Sequence, residues 1–69
     1  MTKKGFIQAV ALKNGTVISD KMARNLAKRL SQRFVAEAVM AICRSGESQE
    51  VYEALWRLIP YWSSFAYVR

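Results

Sequence analysis

Sixty-nine residues make one small domain, 1–69, in the size range where apolar burial only just offsets the chain entropy lost on folding, so help from a second subunit is expected. One cysteine and no histidine exclude an intramolecular disulfide and a Cys/His zinc site within one subunit, and no stretch reaches the ~20 apolar residues of a membrane span. The net charge of +6 is uneven: through Ala36 eight Lys/Arg face Asp20 alone, whereas from Glu37 onward three arginines meet four glutamates.

Residues 1–5 read as a flexible basic lead-in. Lys3 and Lys4 precede a short apolar run in the manner of a signal peptide, but Gln8 interrupts that run and it is too short for an h-region. The chain therefore reads as a reduced, cytoplasmic protein. Phe6 to Ile18 supports two structures. One is a β-hairpin around the Asn14-Gly15 turn, with Val10, Leu12, Val17 and Ile18 paired across it. The other is a short helix, Phe6 to Lys13, ended by a left-handed cap at the same two residues. The β-branched positions incline the reading to the hairpin.

Ser19 to Arg44 is predicted as one long amphipathic helix, about 19–44, with Ser19 as N-cap, Asp20 at the positive end of the dipole and Gly46 as the stop. At roughly 100° per residue, Met22, Ala23, Leu26, Ala27, Leu30 and Phe34 share one face, and Lys21, Arg24 and Lys28 stand opposite. After Phe34 apolar residues point in all directions, which requires cover on more than one side; Cys43 is expected to be buried there. Ser48 caps a second helix, about 48–59, whose inner face carries Val51, Leu55, Leu58 and Ile59. The short link between the two helices implies an antiparallel helical hairpin. Pro60 should end or kink the second helix. The tail beyond it is either a further helical turn or a strand over Ser64 to Val68, folded down because its rings are costly to leave in water.

The chain offers little for catalysis, having no histidine, scattered acids and no Gly-rich phosphate loop. No enzymatic activity and no cofactor are expected. The sharpest functional feature is the basic set Lys21, Arg24, Lys28, Arg29 and Arg33, a positive helix face suited to the phosphates of DNA or RNA. The alternative is a solvated face that keeps a small protein in solution. Val35, Val39 and Ile42 continue the basic side of the long helix, so a monomeric hairpin would expose them. A homodimer meeting along Phe34, Val35, Val39 and Ile42 would cover them, unless the N-terminal segment or the tail does so instead. Trp56, Tyr61, Trp62 and Tyr67 mark the alternative surface for a protein partner, although core packing is the plainer role of such rings.

Gly46 to Ile59, GESQEVYEALWRLI, resembles the turn and second helix of ribbon-helix-helix repressors and antitoxins over about a fifth of the chain. That resemblance implies an intertwined dimer that puts a paired strand into the DNA major groove. A conventional helix-turn-helix finds only Ala11 and Gly15 at suitable spacing, and Thr16 and Lys21 break its apolar pattern. In size and charge the chain is similar to accessory proteins of phages and plasmids. The resulting expectation is a mainly helical regulatory protein that binds nucleic acid electrostatically, or else an inhibitor or adaptor docking on a host protein, with no membrane partner.

Overall fold

In the computed structural model the backbone is described over residues 2–67 and the side chains over residues 2–59. Four helices follow in order: α1, Lys3–Lys13; α2, Asp20–Ala27; α3, Gln32–Arg44; α4, Gln49–Tyr67. Among the described residues there is no strand, and no helix is long and apolar enough to cross a membrane.

The N-terminal segment is a helix, in place of the expected hairpin, and it takes in most of the expected flexible lead-in. Thr2 caps it, its hydroxyl accepting from the Gly5 amide at 3.0 Å. At the far end the Gly15 amide donates to the Leu12 carbonyl and the Thr16 amide to that of Ala11, both at 2.9 Å, and Gly15 turns to φ 77°. This is the paired-bond left-handed stop that Asn-Gly permits. The same dipeptide serves a hairpin turn or a helix cap, and burial decides between them. Phe6, Ile7, Val10 and Ala11 are at most 1 % exposed, so α1 is the helix covered on several sides. Each fully buried large side chain contributes about 1.5–3 kcal/mol.

Helix α1 packs most closely against α2 and α4, whereas α3 and α4 approach each other only sparsely. The helical hairpin is thus not the framework; α1 is. The core joins Phe6, Ile7 and Val10 to Leu30, Val35, Ala38, Tyr52, Leu55 and Ile59. Two polar contacts fix the end of α1 on the start of α4, and a third closes α1 itself. The Asn14 amide donates to the Val10 carbonyl at 2.8 Å and to the Tyr52 carbonyl at 3.0 Å. Gln49 Nε2 donates to the Lys13 carbonyl at 2.8 Å.

The expected long helix 19–44 is broken. α2 ends at Ala27 and α3 restarts after Ser31, whose hydroxyl caps the Phe34 amide at 2.9 Å. Carbonyls released by the break find partners: Lys3 Nζ donates to Leu30 at 2.8 Å and Arg29 Nη1 to Asn25 at 2.7 Å. Leu30, at the break itself, is 2 % exposed. The two helices then diverge, with no close backbone approach to each other. Pro60, by contrast, lies inside α4, which runs on to Tyr67. A proline deletes one helical bond, and the remaining bonds on either side carry the helix past it. The alternative strand over Ser64 to Val68 is accordingly helix as far as Tyr67. With no strand among the described residues, the major-groove ribbon implied by the ribbon-helix-helix resemblance has no counterpart there.

Helix α3 covers less of itself than its composition demands. Val35 and Ala38 are buried, Phe34, Val39 and Ile42 are half-buried against the core, and Met40 and Cys43 are exposed. Cys43 is therefore not the buried small hydrophobe expected. The monomer does not expose Val35, so the exposure on which the expected dimer rested is absent at that position and halved at Val39 and Ile42.

Candidate nucleic-acid interface

Helix α2 has eight residues and a strongly one-sided sequence, DKMARNLA. Ala23 is fully buried, and Leu26 and Ala27 are half-buried beside it. Lys21, Arg24 and Lys28 are exposed, and at roughly 100° per residue they fall on the face turned away from Ala23 and Leu26. Asn25 is exposed on that face as well.

The electrostatics of this face are set by where its one neighbouring acid goes. Asp20 is drawn to α1: Gln8 Nε2 donates to Oδ1 at 2.8 Å, and Lys4 Nζ lies 3.5 Å from Oδ2. The Gln8 hydrogen bond first, and then the Lys4 charge, hold the Asp20 carboxyl below its ordinary value of 3.8. Arg24 adds a smaller pull in the same direction without forming an ion pair. Among the described residues, no carboxylate lies within ion-pair distance of Lys21, Arg24 or Lys28.

The other two expected members of the basic set are differently placed. Arg29 is half-buried and bonds the Asn25 carbonyl, where it closes the end of α2. Arg33 opens α3 and pairs with Glu37 at 3.2 Å, one turn on, both side chains largely exposed. Lys3 is committed to the Leu30 carbonyl, and the Lys13 ammonium sits 5.3 Å from the centre of the Tyr52 ring. Of the cations in the basic half, Lys3 and Arg29 bond carbonyls of the fold, Lys4, Lys13 and Arg33 meet Asp20, the Tyr52 ring and Glu37, and Lys21, Arg24 and Lys28 face outward together. Sequence reasoning missed Lys4 and Gln8, the groups that engage Asp20. Their i, i+4 spacing on a helix was the available signal, hidden while that segment read as a hairpin.

Of the expected partner-binding rings, Trp56 is half-buried and packs on the core. Tyr61, Trp62 and Tyr67 lie outside the residues whose side chains are described. No family model matches the chain, and comparison with curated proteins and with solved structures finds no match.

Proposed function

We propose that the chain is a non-enzymatic binding protein that engages nucleic acid through the outward face of α2, with Lys21, Arg24 and Lys28 on phosphates. The observation that carries this reading is the diversion of Asp20 onto α1. Exposed cations paired with acids are neutral to a polyanion, whereas three with no paired acid, side by side on one helix, release counterions when they meet phosphates. Arg33 can join them at the cost of its exposed pair with Glu37, which contributes little in water.

The test is fluorescence anisotropy with short duplex DNA, single-stranded DNA and RNA. For a duplex, neutralising three phosphates predicts about a 40-fold loss of affinity between 50 and 200 mM salt. Reversing two charges, Arg24→Glu with Lys28→Glu, should weaken binding and flatten the salt dependence while leaving the fold intact, because both side chains are exposed. Unchanged affinity in that double variant rejects the assignment.

A second reading has its own observation. Ala36, Met40 and Cys43, which share one side of α3, are exposed within the subunit, which suits a protein partner or a second copy of the chain. Its test is sedimentation at micromolar concentration with Met40→Glu as the control. A dimer that the substitution dissociates supports this reading, and a 7.9 kDa species alone removes the homodimer.

A further inference from the structure

Asn25 is the residue of α2 whose side chain has no structural task. At roughly 100° per residue it lies about 160° around the helix from the buried Ala23, and it is exposed. Its backbone carbonyl accepts from Arg29, but among the described residues nothing bonds its carboxamide. Asparagine favours caps and turns over helix interiors. Asn14 fills such a place, with its amide on the Val10 and Tyr52 carbonyls; Asn25 does not.

Its neighbours are long and its own side chain is short. Lys21 stands one turn before it and Lys28 one turn after, with Arg24 on the shoulder of the face and Met22 on the other side, all exposed. Helix α2 packs mainly on α1, touches α4 less and makes no close backbone approach to α3, so this face stands clear of the other helices.

The shape of that face selects a form of nucleic acid. With side chains an α-helix is about 10–12 Å across, which fits the major groove of B-form DNA, about 12 Å wide, and not the minor groove, about 6 Å wide. The major groove of A-form RNA is too narrow for side chains to read. Single strands are held by bases stacked on aromatic rings, and Lys21, Met22, Arg24, Asn25 and Lys28 include no ring.

We propose, on the premise that the outward face of α2 is the nucleic-acid surface, that its ligand is B-form DNA and that α2 enters the major groove, where Asn25 reads an adenine. Asn25 Nδ2 donates to adenine N7 and Oδ1 accepts from the adenine N6 amino group, the bidentate pairing particular to that base. Guanine presents two acceptors there, O6 and N7, and leaves Oδ1 unpaired. Lys21, Arg24 and Lys28 reach the phosphates at the groove edges, contacts that position the helix and carry no sequence information.

The test is selection by the full chain from duplexes with a short random core, followed by anisotropy on the selected site. A motif with a fixed adenine is expected. Changing that A·T pair to G·C should weaken binding about 5- to 150-fold, the range for one bidentate pair, and 7-deazaadenine, which lacks the N7 acceptor, should lose part of that factor. Asn25→Ala should bring the A·T and G·C duplexes to equal affinity and leave the salt dependence unchanged; alanine is the better helix former, so the variant keeps its fold. Duplex RNA bound as tightly as the DNA, or a preference that survives Asn25→Ala, overturns the proposal. A pool without a motif overturns it too, and steep salt dependence in that pool would leave the three cations on phosphates as proposed above. No binding of any nucleic acid at low salt removes both.

Discussion

Helices α1 and α2 are neighbours in sequence and in space, and each begins on a hydroxyl cap, yet they do opposite work. α1 buries Phe6, Ile7, Val10 and Ala11 almost completely and lends its polar residues, Lys3, Lys4, Gln8 and Asn14, to other elements. α2 buries only Ala23 fully and turns three cations to solvent. The difference shows how so small a chain affords a functional surface. Structural bonds concentrate on one central helix, including the bond to the one acid that would otherwise neutralise its neighbour's charge.

The contrast breaks most visibly in the core. Ile7→Ala removes a side chain with no solvent exposure and should cost about 2–5 kcal/mol in denaturant unfolding. Met22→Ala on α2, where the side chain is 53 % exposed, should stay within about 0.5 kcal/mol. Equal losses at the two positions would mean that α1 is not the centre of the fold.

A smaller and sharper effect tests where α2 ends. Ser31 caps α3 through the Phe34 amide, so Ser31→Ala should destabilise by about 1 kcal/mol. In an uninterrupted helix 19–44 the same substitution would sit in the helix interior, where alanine is the better residue, and stability would rise by a few tenths of a kcal/mol. Thermal or denaturant melts therefore decide the architecture by sign.

That break also shows what could be read in advance. The helical class, the start at Ser19, the Gly46 stop and the second helix near Ser48 were legible because caps and apolar spacing agree there. The break at Lys28 to Leu30 was not, because Met22, Leu26, Leu30 and Phe34 keep their spacing across it. A serine inside a helix costs too little to signal a boundary on its own. What fixes the break is tertiary: a buried Leu30 and a lysine from α1 on its carbonyl. Helix α1 was legible only as the second of two readings, a helix Phe6 to Lys13 closed at Asn14-Gly15, because the same dipeptide also suits a hairpin turn and Val10, Val17 and Ile18 favour strands. At the basic surface, spacing alone put Lys21, Arg24 and Lys28 together. It left Arg29 and Arg33 in the same set, although the i, i+4 spacing of Arg33 and Glu37 already allowed their ion pair, and the half-buried position of Arg29 depends on tertiary packing.

The smallest effect concerns the contact that joins the two helices. The Asp20 carboxyl titrates below its ordinary 3.8 in the folded protein, so unfolding raises its pKa and the unfolded chain takes up the proton more readily as pH falls. Its contribution is present above the unfolded value and is lost as pH drops through the lowered folded one. The melting temperature should therefore decline as pH falls through and below the ordinary 3.8, and Asp20→Asn should make that decline shallower. At neutral pH the substitution should change stability little, because the carboxylate is exposed and screened by water. The same variant separates two roles for Asp20. If its charge is engaged mainly by Lys4 and Gln8, removing it should raise affinity for duplex DNA only slightly at low salt. A large rise would mean that the carboxylate had been masking Arg24, and that the outward face of α2 is less open than its geometry implies.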